Sequence, residues 1–257
     1  MTGARVAVVT GGGRGIGRAT ARALAADGCT VVVSSRTASD LDAVVDGIEA
    51  AGGRALAVVA DALDRDGARE PVRAAVAAYG RVDVLVNNVG GTVGRDHDPF
   101  TGSDDAFERT LTLSLTSAWW TTREALPHMR AQGWGRVVNI GSGASRSSTP
   151  GGRPAYTAAK HGLVGLTRQL AEAAARFGIT VNCVCPGWTN TSMVDWESVA
   201  ARQGVTLDEA QAAARASSAQ RRILEPEELT PMIVLLAGDG GAGITGQVIG
   251  VDGGYGI

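Results

Sequence analysis

The sequence lacks the features that mark several large classes of protein. Its 257 residues carry a net charge of −2, so there is no basic excess for nucleic acid binding. No apolar run reaches the roughly 18 residues that a membrane-spanning helix needs. The segment Met1 to Arg5 shows no signal-peptide pattern before the first apolar run. We therefore expect a cytoplasmic protein with no membrane and no nucleic acid as partner.

Cysteine is also scarce. The three cysteines, Cys29, Cys183 and Cys185, are an odd number and do not indicate a disulfide framework. Cys183 and Cys185 alternate along an apparent strand and share a face, but two thiols without a neighbouring His or further Cys do not make a zinc site. We predict that they pack in the core and that the protein binds no metal.

Glycine and short apolar runs, by contrast, are abundant. There are 36 glycines, and 44% of the residues are hydrophobic. Continuously apolar runs alternate with helical stretches, which predicts parallel strands that are covered on both faces and joined by crossover helices. The predicted strands are 5–10, 30–34, 55–60, 82–86, 136–140, 180–184 and 247–251. The predicted helices are 16–26, 38–51, 65–79, 104–132, 156–177 and 227–236. We predict one α/β domain over residues 1–257.

Two stretches interrupt this alternation. Residues 141–154 are rich in Gly and Ser, and residues 195–220 form a polar, Ala-rich insertion. A long connection in a compact domain is usually functional. We predict that residues from about 193 to 220 form a mobile helical lid over a substrate site.

A glycine-rich loop, Thr10-Gly11-Gly12-Gly13-Arg14-Gly15-Ile16-Gly17, follows the first predicted strand and precedes a helix. In that context, backbone N–H groups and the positive end of the helix can meet a pyrophosphate. A tight turn with close helix packing, without a ligand, is the alternative. The order of strand, glycine loop and helix favours a dinucleotide site.

The end of the second strand bears on which dinucleotide would bind. A site for NAD usually offers a carboxylate there to the ribose 2′-hydroxyl. The sequence reads Val33-Ser34-Ser35-Arg36 and contains no acid, whereas Arg36, with Arg14, could pair with a 2′-phosphate. We predict NADP(H) rather than NAD(H). Asp61, after the third strand, is a candidate for the adenine amino group or for a helix N-cap.

Lysine occurs once, at Lys160, among 24 basic residues. It stands four residues after Tyr156, and positions i and i+4 share one face of a helix. A nearby ammonium favours phenolate, which makes Tyr156 a candidate general acid or base. A solvated surface Lys is the alternative interpretation of Lys160.

Together with further motifs, these residues resemble the short-chain dehydrogenase/reductase family over nearly the whole chain. The glycine loop is similar to its cofactor signature, and Asn87-Asn88-Val89-Gly90 is similar to its motif after strand four. Ser142, Tyr156 and Lys160 match its catalytic Ser, Tyr and Lys. Pro186-Gly187 followed by Thr191, and the tail 244–254, are also similar to the family.

The resemblance implies a Rossmann-type doubly wound sheet of seven parallel strands, a homotetramer, and hydride transfer between a nicotinamide and a ketone or secondary alcohol. It implies that Tyr156 exchanges the proton, that Lys160 holds the nicotinamide ribose and supports Tyr156, and that Ser142 polarises the carbonyl. The cofactor-binding residues expected from the loop and the resemblance are Gly11, Arg14, Gly15, Ile16, Gly17, Arg36, Asp61, Ala62, Asn88, Gly90, Tyr156, Lys160, Pro186, Gly187, Thr189 and Thr191.

The chain departs from the family pattern at Ser114. By the resemblance, an Asn is expected there, anchoring a water of the proton relay, but the sequence reads Leu113-Ser114-Leu115. A hydroxyl can still hold a water, although its reach is shorter. Ser114 is therefore included among the catalytic candidates. The departure leaves open an alternative, a catalytically weak NADP-binding regulatory or structural protein.

The substrate class is open. The motifs resemble those of 3-oxoacyl-thioester and polyketide ketoreductases and of 3-hydroxybutyrate dehydrogenases. A small carboxylate substrate would need a cation, and the only Lys is already assigned, which favours an acyl-thioester or a hydrophobic or cyclic ketone. Arg95, Arg146 or Arg153 could serve instead, so a 3-hydroxy acid dehydrogenase is the alternative. Trp188 and Trp196 are candidates for the substrate wall.

Overall fold

The seven predicted apolar runs all form strands of one sheet. The computed structural model describes residues 4–94, 99–148 and 153–256. Within these ranges the strands are β1 (Val6–Thr10), β2 (Thr30–Ser35), β3 (Arg54–Val59), β4 (Val84–Asn87), β5 (Gly135–Ile140), β6 (Ile179–Pro186) and β7 (Val248–Val251). Every neighbouring pair is parallel, and the order is β3-β2-β1-β4-β5-β6-β7. Every predicted strand end lies within two residues of the observed one.

The described ranges contain nine α-helices. They are α1 (Gly15–Ala26), α2 (Ala38–Ala50), α3 (Arg65–Tyr79), α4 (Asp104–Leu111), α5 (Ser117–Gln132), α6 (Pro154–Ala174), α7 (Trp196–Gln203), α8 (Leu207–Ala216) and α9 (Thr230–Ala237). None of the described helices is both long and apolar enough to cross a membrane.

Helices cover both faces of the sheet, as the continuously apolar strands predicted. Successive residues of β1 point to opposite faces, so Val9 packs with α1, α2 and α9, whereas Val8 packs with α3, α5 and α6. This confirms the Rossmann-type doubly wound fold. In such a sheet, ligands bind at the carboxyl ends of the strands where the strand order reverses, which here is the crevice between β1 and β4.

One helix prediction needs correction. The segment 104–132 is not one α-helix, because a π-helical turn, Thr112–Thr116, separates α4 from α5. A π-turn widens the helix locally and is frequent at functional sites. Here it coincides with two hydrogen bonds between Ser114 and the backbone of Gly91, a loop residue after β4. A contact so distant along the chain could not be read from local periodicity.

The predicted lid contains two helices, α7 and α8. They pack together around Val199 and Ala210, and the ring centroids of Trp188 and Trp196 lie 5.3 Å apart beside them. The chain after α8 is joined to the C-terminal segment, since the Gln220 N–H donates to the Gly253 carbonyl oxygen at 2.9 Å. The lid is therefore anchored at its carboxyl end.

Candidate active site

A first cavity, of about 360 Å³, lies over the carboxyl ends of β1 to β4. We call it the glycine-loop cavity, because the loop after β1 forms its floor. Ten of the predicted cofactor-binding residues line it: Gly11, Arg14, Gly15, Ile16, Arg36, Asp61, Ala62, Asn88, Gly90 and Thr191. The fold thus brings together residues from five separate loops at the crevice where a dinucleotide is expected.

Two glycines show why this loop has its shape. Gly15 begins α1 with φ +53°, a left-handed conformation that side chains rarely adopt. Gly17 was predicted to bind the cofactor but does not line the glycine-loop cavity. A Cβ at this position would overlap the carbonyl oxygen of Gly11 and lie 2.5 Å from Asn88 Nδ2. The glycines therefore let the N-terminus of α1 approach the loop, leaving a cradle of backbone N–H groups that fits a pyrophosphate.

Asn88 joins the glycine loop to the end of β4. Its Nδ2 donates to the carbonyl oxygens of Thr10 and Gly11, both at 3.0 Å. Its backbone N–H donates in turn to Thr10 Oγ1 at 3.1 Å. These bonds hold the two sides of the crevice in one arrangement, before any ligand binds.

Charged side chains surround the outer end of the glycine-loop cavity. Arg14, at the N-cap of α1, and Arg36, after β2, are exposed, and neither side chain forms an ion pair with a described residue. Asp40, in the first turn of α2, also lines the cavity and was not predicted from the sequence, since it lies beyond the strand end. The cavity is thus lined by two guanidinium groups, those of Arg14 and Arg36, and by the carboxylates of Asp40 and Asp61.

Of the two interpretations of Asp61, the helix cap is wrong. The N-cap of α3 is Asp64, whose side chain accepts from the Gly67 N–H at 2.7 Å. Asp61 instead accepts from the Leu63 N–H at 3.0 Å and lines the glycine-loop cavity. Its carboxylate keeps acceptor capacity towards that cavity.

A second cavity, of about 460 Å³, adjoins the first, since both are lined by Ile16, Asn88, Gly90, Thr191 and Met193. We call it the tyrosine cavity. It is lined by Ser142 after β5, by Tyr156 and Lys160 on α6, by Pro186 at the end of β6, and by Gly187 and Thr189 after β6. Elements far apart in the sequence therefore place the predicted Ser, Tyr and Lys around one space beside the glycine loop.

Lys160 is not a solvated surface residue, because only 2% of it is exposed. Its Nζ donates to the Ile140 carbonyl oxygen at 2.7 Å and lies 5.6 Å from the centroid of the Tyr156 ring. A Cβ on Gly90 would come within 2.9 Å of the same Nζ. The ammonium is thus held between β5 and the loop after β4.

The hydroxyl of Ser142 is positioned by a short turn. Ser142 caps the 3-10 turn Gly143–Ser145, with Oγ accepting from the Ala144 N–H at 3.2 Å and its own N–H donating to Ser145 Oγ at 3.1 Å. Because the serine oxygen is the acceptor in this bond, its proton remains available for a carbonyl oxygen in the tyrosine cavity.

Ser114 lies close to the site but lines neither cavity. It is 1% exposed, and its Oγ accepts from the Gly91 N–H at 3.0 Å and donates to the Gly91 carbonyl oxygen at 2.7 Å. Its proton is therefore engaged with the backbone. These bonds join the π-turn to the Gly90–Gly91 loop, which lies next to Lys160.

A buried amide network beside the site was not predicted from the sequence. Asn87 Nδ2 donates to Asn139 Oδ1 at 2.8 Å and to Thr122 Oγ1 at 2.9 Å, and Asn139 Nδ2 donates to Thr167 Oγ1 at 2.9 Å. The network joins β4 and β5 to α5 and α6, and α6 carries Tyr156. The sequence signal for this network was one asparagine near the end of β4 and one near the end of β5.

The cysteines are core residues, as predicted. Cys183 and Cys185 are fully buried, their sulfur atoms lie 3.8 Å apart, and all three cysteines are free thiols. The hydrogen bond with Cys185, together with burial, raises the pKa of Cys183. No group of three or more metal-ligating side chains occurs among the described residues.

The walls of the tyrosine cavity include residues that were not predicted. Arg202 on α7 lines it from the lid, and Tyr255 lines it from the C-terminal segment, where its ring contacts Gly143. Of the two tryptophans predicted for the substrate wall, Trp188 lines the cavity. The prediction for Trp196 is wrong, because this residue does not line the cavity and its ring packs against that of Trp188.

The three arginines considered for a substrate anion have different surroundings. Arg146 forms an ion pair with Asp252 at 2.8 Å, which occupies its guanidinium. Arg153 lines the tyrosine cavity. Arg95 and the neighbouring His97 lie outside the described residues.

Comparison with known proteins agrees with this geometry. The family model described as short chain dehydrogenase matches residues 5–201. The chain is a short-chain dehydrogenase/reductase. It is 40% identical over 249 residues to the short-chain reductase protein NovJ of Streptomyces niveus, covering 97% of this chain and 93% of that one. It is also 38% identical over 254 residues to a 3-oxoacyl-[acyl-carrier-protein] reductase of a Synechocystis species, covering 98% and 96%.

A solved structure shows the same fold. A single-residue variant of the actinorhodin polyketide ketoreductase, with NADPH, has a TM-score of 0.89 to this short-chain dehydrogenase/reductase, at 34% identity, covering 97% of this chain and 96% of the other. Family membership makes this protein an oxidoreductase that acts with a nicotinamide cofactor.

Proposed function

We propose that this short-chain dehydrogenase/reductase is an NADP(H)-dependent enzyme that reduces a ketone to a secondary alcohol, or catalyses the reverse reaction. The observation that carries the proposal is the meeting of Ser142, Tyr156 and Lys160 around a cavity that adjoins the glycine loop. Such a site offers a proton donor, a second hydrogen-bond donor and a buried cation beside a dinucleotide cradle.

The cofactor residues divide by the part of the cofactor that they would hold. Backbone N–H groups of the glycine loop and the N-terminus of α1 would bind the pyrophosphate. Arg14 and Arg36 would bind a 2′-phosphate, and Asp61 and Ala62 would border the adenine. Lys160, with Asn88, Gly90 and the loop that contains Pro186, Gly187, Thr189 and Thr191, would border the nicotinamide ribose and ring. The bound cofactor supplies or accepts the hydride.

The protein's own groups handle the proton and the charge on oxygen. Tyr156 donates its phenolic proton to the carbonyl oxygen during reduction and takes it back during oxidation. Ser142 donates a hydrogen bond to the same oxygen, in the manner of an oxyanion hole. Lys160 stabilises negative charge on the phenol oxygen. We propose that Ser114 acts by supporting the Gly90–Gly91 loop against Lys160.

The lining of the tyrosine cavity supports an acyl-thioester or a hydrophobic or cyclic ketone as substrate. Trp188, Met193, Val194 and Val199 present apolar surface to it. The resemblance to a 3-oxoacyl-thioester reductase points in the same direction.

We also propose a cytoplasmic homotetramer. Exposed aromatic side chains on α4 and α5 support association, because 41% of Phe107 and 39% of Trp119 are exposed. Light scattering of the purified protein is expected to give four times the chain mass.

Replacement of Tyr156 by Phe tests the reaction. Removing the hydroxyl takes away the proton donor, so kcat for ketone reduction is expected to fall about 1,000-fold, while the Kd for NADPH changes little. Tyr79→Phe, on the far end of α3, makes the same chemical change away from both cavities and is expected to leave kcat unaltered. A Tyr156→Phe enzyme with full activity would refute the proposal. Wild-type protein that binds NADPH but reduces no ketone would favour the regulatory alternative.

Replacement of Arg36 by Asp tests the cofactor preference. A charge-assisted hydrogen bond to phosphate contributes about 2 kcal/mol, so the Kd for NADPH is expected to rise roughly 30-fold while the Kd for NADH does not rise. Arg54→Asp is the matched control, since Arg54 is an exposed residue at the start of β3, and Arg36 follows the opposite, carboxyl end of the neighbouring strand β2. Fluorescence titration with both dinucleotides gives the ratio. An unchanged NADPH-to-NADH ratio would contradict the assignment of Arg36.

A further inference from the structure

The tyrosine cavity has an unbalanced charge. Its described lining contains three cationic side chains, Arg153, Lys160 and Arg202, and no Asp or Glu. Lys160 donates to the Ile140 carbonyl oxygen and lies beside Tyr156, so the proposed reaction already uses it. The two arginines have no part in that reaction.

Arg153 and Arg202 reach the cavity from different elements. Arg153 is the N-cap residue of α6, three residues before Tyr156, and Arg202 lies in the last turn of α7, in the lid. Neither guanidinium has a hydrogen bond or ion pair with another described residue. Burial lowers the pKa of Arg202, the positive charge of Arg153 lowers it further, and Asp195 opposes this effect. The two guanidinium groups line the same cavity and are close enough to repel each other.

Other arginines of the chain form ion pairs with carboxylates. Arg146 pairs with Asp252, and Arg222, beyond the lid, forms two hydrogen bonds with the Glu228 carboxylate at 2.6 and 2.7 Å. The chain thus has carboxylates for neighbouring arginines, but none of the described ones pairs with Arg153 or Arg202. Two like charges that line a substrate cavity without such partners lower the energy of an anion bound there.

We propose that Arg153 and Arg202 bind an anionic oxygen group, a carboxylate or a phosphate, on the ketone substrate. This inference rests on the proposed reductase function and narrows its substrate class. A guanidinium group presents a planar fork of donors that matches both kinds of oxyanion. The expectation from the sequence that disfavoured a small carboxylate substrate did not include a cation on the lid, and Arg202 supplies one beside Arg153.

The remaining lining describes the rest of this substrate. Apart from the cations and the reacting residues, much of the wall is apolar and includes Trp188, Val194, Val199, Ala210, Ala213 and Ala214. The substrate class is therefore a ketone with an apolar body that separates the carbonyl group from the anionic group. An anion that contacts both arginines would also link α7 to the start of α6, and so link the lid to the element that carries Tyr156.

Two substrate pairs, each differing in one anionic group, test the proposal. The carboxylate pair is 4-oxocyclohexanecarboxylate and its methyl ester. The phosphate pair is the acetoacetyl thioester of phosphopantetheine and that of pantetheine. In at least one pair, kcat/KM for the anionic member is expected to be about 10-fold higher than kcat/KM for the neutral member. This ratio corresponds to one charge-assisted hydrogen bond in a partly exposed site. The pair with the larger ratio identifies the source of the anion.

Arg202→Gln is the main variant, because Arg153 begins the helix that carries Tyr156. The variant is expected to lose the 10-fold preference while kcat/KM for the neutral member stays within about 2-fold, and Arg202→Lys is expected to retain part of the preference. Arg215→Gln is the matched control, since Arg215 is an exposed arginine of the same lid that does not line the cavity. Sodium chloride should weaken the preference of the wild type.

Reduction of neutral ketones with no anionic preference in either pair would overturn this inference and leave the reductase proposal standing. An equal loss for both members of a pair in Arg202→Gln would also overturn it, because it would show a structural role. If no ketone is reduced, the reductase proposal fails. Calorimetric titration of the NADP+ complex with the carboxylate and its ester then decides the anion site separately, and equal affinities would overturn it.

Discussion

Replacing Gly17 by Ala would add one methyl group to the first turn of α1, at the closest approach between that helix and the glycine loop. The added Cβ would overlap the Gly11 carbonyl oxygen, lie 2.9 Å from the carbonyl carbon and 2.5 Å from Asn88 Nδ2, whereas ordinary contact begins at 3.4 Å. Two of these atoms belong to the backbone and cannot rotate away. Either α1 or the loop after β1 must therefore move.

The cost follows from this overlap. Forcing a methyl group into a closely packed site costs about 1 to 3 kcal/mol. For a chain of this length, each kcal/mol changes Tm by roughly 2 to 4 °C, so we expect a decrease in Tm of about 4 to 8 °C for a loss near 2 kcal/mol. The same movement widens the N–H cradle, and we expect the Kd for NADPH to rise by at least about 10-fold, equivalent to about 1.4 kcal/mol.

Gly165→Ala makes the same chemical change where space is free. Gly165 is an exposed residue within α6, and no heavy atom lies within 4 Å of an added Cβ. Alanine is a better helix former than glycine by about 1 kcal/mol, so this variant is expected to raise Tm by roughly 2 to 4 °C. The two glycines, both helical, should therefore respond with opposite signs.

Thermal unfolding, followed by circular dichroism, and fluorescence titration with NADPH measure both effects. The thermal scans should be made without cofactor, so that the change in Tm is separated from stabilisation by binding. A Gly17→Ala protein that unfolds at the wild-type temperature and binds NADPH with wild-type affinity would refute this prediction. The close approach of α1 to the glycine loop would then place no constraint on the loop.

Two further predictions concern the core beneath the site. Asn139→Ala removes the partner of Asn87 and Thr167 in the buried network. Unfolding in urea is expected to show that the free energy of unfolding decreases by about 2 kcal/mol. A decrease as small as that of the exposed variant Asn190→Ala would argue against the network. The three thiols are buried, and burial raises the pKa of Cys29 to about 11, so at pH 8 this thiol is protonated in the native protein. A disulfide reagent is expected to label all three thiols only after unfolding, and rapid labelling of the folded protein would contradict this expectation.

The strands and the glycine loop were predictable because their signals are local. A strand buried on both faces needs apolar side chains at most positions, so β1 appears in the sequence as an almost continuous apolar run. The i to i+4 spacing of Tyr156 and Lys160 likewise depends only on helix geometry, and both residues line one cavity.

The parts that were not predicted depend on contacts between distant segments. The π-turn at Thr112–Thr116 coincides with bonds from Ser114 to Gly91, and the network of Asn139 spans four elements. Arg202 resembles any other arginine of a polar helix until the lid is folded over the cavity. Neither periodicity nor motif spacing carries that information.

The sequence by itself determined the parallel sheet, the cofactor cradle and the pairing of the only lysine with a tyrosine, because each depends on residues that are close together in the chain. Only the tertiary structure decided that Lys160 is buried against β5, that Ser114 binds Gly91, and that Arg153 and Arg202 line one cavity whose described lining has no carboxylate. Those features depend on which side chains meet when loops from separate strands converge. The electrostatic character of a site depends on that assembled neighbourhood and on the solvent that the neighbourhood excludes.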